Sequence, residues 1–234
     1  MEIDYRIIES DDDKLRLFQF RKQVFVNEEK RWETEQDYII DEYDNLDETI
    51  NLAAVHNGQI IAALRVTPEN QAGFPVDQYW DSKPYRSRLS GLCANIGWLC
   101  CAREYRHSKG LVKNLVELGM TQAKNMHTSH IISVIHPPIY DLLHNCFGVI
   151  QIGKTFKDSL LNLDMMPIYC SVDEFPFSDK YSQYYFTHER DLISQGTNNS
   201  CNLEITKVTP DHSICEGVNF TYLDDASTTP YELD

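Results

Sequence analysis

The sequence predicts an α/β domain built on a mixed sheet, and three observations carry that prediction. An Asn57-Gly58 turn separates two apolar runs, and an amphipathic stretch over 109–126 follows an apolar strand. Strand-type and helix-type patterns also succeed one another without the strict β-α-β alternation of a doubly wound fold.

Residues 3–8 (IDYRII) alternate well enough for a first strand. Over 11–30, Leu15, Leu17, Phe18, Val24 and Phe25 fall near helical spacing, and the aspartates at 11–13 stand where a helix N-terminus favours negative charge. Residues 31–48 are polar and aromatic without a period and read as a long functional loop. A hairpin follows, with strands over 50–56 and 59–67 and Pro68 ending the second. Residues 69–91 hold Pro75, Pro84 and two glycines and read as loop with a short helix. The apolar strand 93–102 is interrupted by Gly97, the sign of a bulge or a close backbone approach. In the helix over 109–126, Leu111, Val112, Leu115, Leu118 and Met120 turn to one side. A strand over 130–135 stops at Pro137-Pro138, a short helix covers 139–146, and strands are expected over 149–156 and 165–172. From about 191 the chain is acidic and weakly patterned, which divides it into a domain over 1–190 and an extension over 191–234.

At 234 residues, with 42% hydrophobic and 11% aromatic side chains, the chain has the composition of a globular protein. The net charge of −15 is uneven: −9 over residues 1–60, +3 over 61–170 and −9 over 171–234. Global acidity argues against a nucleic-acid partner, because phosphate contacts need clustered Lys and Arg. A basic middle suits a local anionic ligand such as a phosphopantetheine carrier, and equally a solvated surface. No apolar run approaches the roughly 18–20 residues of an integral membrane segment. The N-terminal stretch MEIDYRIIESDDDK has neither a basic nor an apolar region of the signal-peptide kind, so a cytoplasmic location is expected. The seven cysteines (93, 100, 101, 146, 170, 201, 215) lack zinc-site spacing and read as reduced, buried thiols, with no metal implied.

The most informative segment runs from Ile96 to Leu118. A glycine-interrupted strand leads into Arg103-Glu104-Tyr105-Arg106-His107-Ser108-Lys109-Gly110 and then a helix. Backbone N–H groups at such a helix start, with Arg106 and Lys109 beside them, make an anion site. The same pattern alone also describes an ordinary strand–turn–helix. The stretch resembles the acyl-CoA-binding segment of the GNAT N-acetyltransferase superfamily, in which a bulged strand leads through an Arg- and Gly-containing turn into a long helix. Arg106 and Gly110 take family positions here, but with the spacing Arg-x-x-x-Gly. The resemblance implies a three-layer α/β/α domain, with Leu99, Cys100, Cys101, Arg106, Lys109, Gly110 and Leu111 contacting the carrier.

Upstream, Arg21 and Phe25, then Trp32, then Asp41 and Asp44, then Arg65 follow in order. The series resembles that of the acyl-homoserine-lactone synthases and long-chain N-acyl amino acid synthases, and with the later segment the resemblance covers roughly residues 15–170. It implies that Arg21, Asp41, Asp44 and Arg65 form a buried polar network beside an acceptor pocket walled by Phe25, Trp32 and Trp98. The same ion pairs could instead only pin the loop to the core. One departure is chemical: Asn95 and Trp98 stand where the synthases carry a Glu-x-x-Arg motif. Asparagine cannot act as a base, so the amine's own neutral fraction is expected to carry the reaction.

The implied reaction is direct attack by an amine on a thioester, without a covalently bound cofactor. Acyl-CoA or acyl carrier protein serves as co-substrate, and an amino acid or similar small amine accepts a medium or long acyl chain. Backbone N–H groups around Leu99–Cys101 are the expected oxyanion donors. Tyr140 and His144, near the family's leaving-group acid, are both candidates for that role; His144 also fits a solvent-facing helix position. Cys100 or Cys101 as a covalent acyl carrier is a further route. A catalytically inactive acyl-carrier-binding or sensor protein is the alternative from another class.

Overall fold

A computed structural model describes residues 2–31, 33–158 and 163–177. The extension over 191–234 therefore lies outside the described residues, as does Trp32. Strand β1 (Asp4–Ile7) precedes helix α1 (Asp11–Lys22), whose first turn is capped by Ser10 accepting from the Asp13 N–H at 3.2 Å. The α-helix is shorter than the apolar spacing predicted, because residues Gln23–Glu28 continue as wider π-helical turns. Leu15, read as part of the apolar face, is exposed.

The hairpin is β2 (Ile50–His56) and β3 (Gln59–Pro68), joined by Asn57 and Gly58, both at positive φ. A short helix α2 (Lys83–Arg86) interrupts the loop before β4 (Leu92–Cys101). Helix α3 (Leu111–Asn125) starts after Gly110, which sits at φ 76°. Strand β5 (Thr128–Ile135), helix α4 (Tyr140–Phe147) and three further strands follow: β6 (Ile150–Gln151), β7 (Phe156–Asp158) and β8 (Leu163–Ser171). The single strand expected over 149–156 is thus two short pieces, both paired with β8.

Among the described residues the sheet order is β1-β2-β3-β4-β5-β8-β6, with β7 also on β8, and every pairing is antiparallel except β4 with β5. That one parallel pair is brief. It runs only from Leu92/Thr128 to Ala94/Ile131, although β4 continues to Cys101 and β5 to Ile135. Beyond Ala94 the two strands part, and the sheet opens as a V.

Strand alternation sorts the core into two faces. Leu52, Ala54, Ala62, Leu64, Val66 and Ala94 pack under α3 and α4 with Leu111, Leu115, Leu118 and Phe147. Ala53, Val55, Ala63 and Cys100 turn the other way, against Leu17, Phe18 and Phe20 of α1. The result is the three-layer α/β/α architecture, with the opening of the sheet at its centre.

Candidate active site

Four charged side chains meet on the α1 face. In Asp41-Glu-Tyr-Asp44, a 3₁₀ turn over Glu42–Asn45 brings both carboxylates to one side. Asp41 Oδ1 accepts from the Tyr43 N–H at 2.9 Å, and Asp44 Oδ2 accepts from the Asp41 N–H at 3.0 Å. Arg21 arrives from the last turn of α1 and donates through Nη1 to Asp44 Oδ2 and through Nη2 to Asn51 Oδ1, both at 2.7 Å. Arg65 shares its sheet face with its cross-strand partner Asn51 and donates through Nη1 to Asp41 Oδ1 at 2.5 Å. The same Nη1 stands 3.0 Å from Asp44 Oδ1, an ion contact off the hydrogen-bond line. Two guanidiniums against two carboxylates leave the cluster neutral. Arg21 is 0% exposed and Arg65 1%, so neither charge would be tolerable alone.

Burial pushes the Asp44 carboxyl up, but the charges of Arg21 and Arg65 outweigh it and hold it below its ordinary value. Burial likewise disfavours the Arg65 cation, and Asp41 and Asp44 more than restore it. A depressed folded-state carboxyl stabilises the fold fully above the unfolded pKa of about 3.9 and loses that contribution as pH falls through the lower folded value. The melting temperature is therefore expected to drop below about pH 4, and an Asp44→Asn variant to show a flatter acid limb. An equally steep limb in that variant would assign the acid loss to other carboxylates.

A bulge in β4 sets the wall of this cluster. Ala63 pairs with Cys100 but Arg65 with Gly97, so Trp98 and Leu99 share the space opposite Leu64. Trp98 takes φ 54°, a left-handed conformation costing a non-glycine residue about 1 kcal/mol or more. The shift resets the alternation: Ile96 and Leu99 both pack toward α3, whereas Trp98 turns to the α1 face. There its Nε1–H donates to Asp41 Oδ2 at 3.0 Å and its ring covers the guanidiniums of Arg21 (4.8 Å) and Arg65 (5.8 Å). Phe25 meets it edge-on at 5.6 Å.

Where β4 and β5 part, side chains replace the ladder. Asn95 Nδ2 donates to Ile132 O at 3.1 Å and to Ser133 Oγ at 3.2 Å. Ser133 Oγ in turn accepts from the Ile96 N–H at 3.2 Å and donates to Ile96 O at 2.8 Å. Asn95 thus bridges the base of the V. A Cβ on Gly97 would lie 2.8 Å from Asn95 Oδ1, which accounts for the glycine as a close approach.

A cavity of about 220 Å³ fills the opening. Toward α3 and α4 it is lined by Val116, Met120, Ile131, Leu143, Phe147 and Ile168. Toward α1 its lining is polar, with Arg31, Asp41, Arg65, Gln78, Tyr79 and His136, and Phe25, Asn95, Trp98 and Leu99 lie between. The cavity therefore passes through the sheet from an apolar side to a charged one.

The turn before α3 is tied inward. Arg106 is 7% exposed; its Nε donates to Cys101 O at 3.2 Å and its Nη2 to Glu29 Oε1 at 2.8 Å. Arg106, read from the sequence as part of an anion site at the start of α3, thus has its guanidinium engaged by Cys101 O and Glu29. Lys109 is exposed beside the α3 N-terminus at Gly110 and Leu111. Cys100 and Cys101 are buried, and burial pushes both thiols up, that of Cys101 to about 12. Thiols held protonated in this way are poor acyl carriers. Tyr140 and His144 stack on each other at 5.6 Å, and His144 Nδ1 donates to Val149 O at 2.8 Å. Neither joins the cavity lining, to which α4 contributes Leu143 and Phe147.

The structure thus gathers Arg21, Phe25, Asp41, Asp44, Arg65, Asn95 and Trp98 around one opening. Arg31, Gln78, Tyr79, Ser133 and His136 escaped the sequence reading. His136 alone carried a signal, as a polar residue closing an apolar strand before two prolines.

The fold is that of the GNAT N-acyltransferases. The family model of the N-acyl amino acid synthase FeeM matches residues 16–170, and the chain belongs to that family. FeeM itself, from uncultured soil microbes, superposes with a TM-score of 0.59 at 15% identity, covering 74% of this chain and 92% of its own. BjaI, a CoA-dependent acyl-homoserine lactone synthase solved with SAM and isopentyl-CoA, gives 0.60 at 13% identity, covering 82% and 90%. The acyl-homoserine lactone synthase LasI gives 0.55 at 15%, covering 73% and 90%. No curated protein matches the chain. Among the described residues no helix is long and apolar enough to cross a membrane.

Proposed function

We propose that this enzyme transfers a medium or long acyl chain from acyl-CoA or acyl carrier protein to the amine of an amino acid or similar small acceptor, by direct attack on the thioester. The observation that carries this reading is the two-sided cavity, apolar toward α3 and α4 and charged toward α1. An acyl chain fits the first half, where each buried methylene contributes about 0.8 kcal/mol. A zwitterionic acceptor fits the second, beside Arg31, Asp41 and Arg65. Backbone N–H groups released by the bulge around Trp98–Leu99 then face the developing oxyanion. Arg21, Asp44 and Arg65 hold the acceptor loop, Phe25 and Trp98 wall it, and Lys109 with the N-terminus of α3 receives the carrier phosphate.

The test is thiol release from acetyl-, octanoyl- and dodecanoyl-CoA with a panel of amino acids. Turnover is expected to rise with chain length, and Leu143→Trp, which fills the apolar half, is expected to shift preference to shorter chains by roughly tenfold or more. Donor binding without thiol release for any amine would instead support an acyl-carrier-binding protein, the reading that Asn95 in place of a carboxylate favours.

A further inference from the structure

Deprotonation of the acceptor has no owner in the cluster on the α1 face. Asp41 is bonded to Arg65 and Trp98, Asp44 is sealed between two guanidiniums, and Asn95 is spent on bridging the strands. One titratable group that lines the cavity stands apart from that network. His136 follows the last residue of β5, on the strand that forms one arm of the V, and borders the polar half with Arg31 and Tyr79. Its Nδ1 lies 3.2 Å from the main-chain oxygen of Asp164 on β8. A carbonyl oxygen only accepts, so Nδ1 carries the hydrogen and Nε2 carries the lone pair.

We infer that His136 is the general base of the transfer reaction, taking a proton from the acceptor ammonium through Nε2 in place of the carboxylate that position 95 lacks. The inference rests on the acyltransferase reading above. The ammonium gives one proton to Nε2, and the freed nitrogen pair forms the bond to the thioester carbonyl carbon. The C–S bond breaks with its electrons on sulfur. The second proton shed by nitrogen goes to the thiolate, and the imidazolium releases its own to solvent. Three features suit the ring to this task. Its orientation is held by the strand end and the Asp164 carbonyl rather than by substrate. Partial burial, helped by the Arg31 charge and opposed by the hydrogen bond to Asp164 and by its carboxylate, keeps the ring below its ordinary pKa and so neutral near pH 7. The cavity joins it to the bulge where the carbonyl is held, with Arg31, Asp41, Arg65 and Tyr79 the other ionisable groups sharing that half.

The experiment compares wild type, His136→Gln and His136→Ala, using dodecanoyl-CoA with phenylalanine and with phenylalanine amide, whose amine pKa values differ. Thiol release, and dodecanoyl-CoA binding by tryptophan fluorescence, are followed across pH. For wild type, kcat is expected to rise through one inflection below about pH 6.5, at the same pH for both acceptors. His136→Gln is expected to bind donor normally but lose roughly a hundredfold or more in kcat at pH 7, with an inflection that now follows the acceptor. Added imidazole is expected to restore rate to His136→Ala. An undiminished kcat in His136→Gln, or a wild-type inflection that moves with the acceptor, would overturn the base and leave the transferase standing. Wild-type donor binding without thiol release would overturn both.

Discussion

Replacing Asp44 with alanine is expected to cost about 3–5 kcal/mol of folding stability, the scale of breaking one partner out of a buried charge cluster. Among the described residues, Asp44 is the only carboxylate touching both buried guanidiniums: its Oδ2 receives Arg21 Nη1 at 2.7 Å, and its Oδ1 stands 3.0 Å from Arg65. Without it the cluster carries a net positive charge in a site where Arg21 and Arg65 are almost fully enclosed. Water cannot compensate without opening the α1 face. The turn that presents Asp41 also loses its tie, because the Asp41 N–H donates to Asp44 Oδ2. Acyl transfer should therefore fail together with stability. Urea denaturation of Asp44→Ala measures the first effect. The double replacement of Asp44→Leu with Arg21→Met should recover much of the lost stability, since apolar substitution of a whole buried pair is often neutral. A loss below about 1 kcal/mol in Asp44→Ala would mean that the cluster is a surface pair in practice.

Asn95→Asp is expected to be strongly damaging although it is near-isosteric. A carboxylate base at this position looks, from sequence alone, like a gain of catalytic power. The geometry argues the reverse. Asn95 donates through Nδ2 to Ile132 O and Ser133 Oγ, and an ionised carboxylate can donate to neither. It would face the Ile132 carbonyl oxygen at hydrogen-bond distance while 6% exposed, with both a lost bond and a desolvated charge. A cost of about 3 kcal/mol at pH 7 follows from the penalty for leaving buried charged groups unsatisfied. The introduced carboxyl would have its folded pKa raised by burial, and its protonated form could again donate to Ile132 O. Stability relative to wild type should then be best below the unfolded pKa and fall as pH rises through the raised folded value. Differential scanning calorimetry at pH 5 and pH 8 tests this, and a difference from wild type that is constant with pH would remove the strand-bridging role of Asn95.

Several elements were legible because their signals are local. The Asn57-Gly58 hairpin, the apolar face of α3 and the strand before Pro137-Pro138 depend on neighbours within one turn or one strand, and each stands within two residues of its expected bounds. The Arg21, Asp41, Asp44 and Arg65 series was legible only through its resemblance to the acyl-homoserine-lactone and N-acyl amino acid synthases, and the four side chains pair in the structure. The π-helical continuation of α1 left no such trace, since its hydrogen bonds shift register without changing residue types.

The sequence by itself determined most of the inventory of strands and helices, and its resemblance to known synthases supplied the charges that are candidates for a buried cluster. Only the tertiary structure decided what each group faces. Arg106 reads as part of an anion site at the start of α3, yet Glu29, 77 residues away in sequence, draws it inward. Tyr140 and His144 occupy promising spacing, but the rotation of α4 turns Leu143 and Phe147 to the cavity instead. His136 enters the site only because β4 and β5 separate after Ala94, and that separation is a matter of non-local pairing. Side-chain direction at a strand end or on a short helix depends on how the sheet opens beneath it, and no pattern within a single segment encodes that.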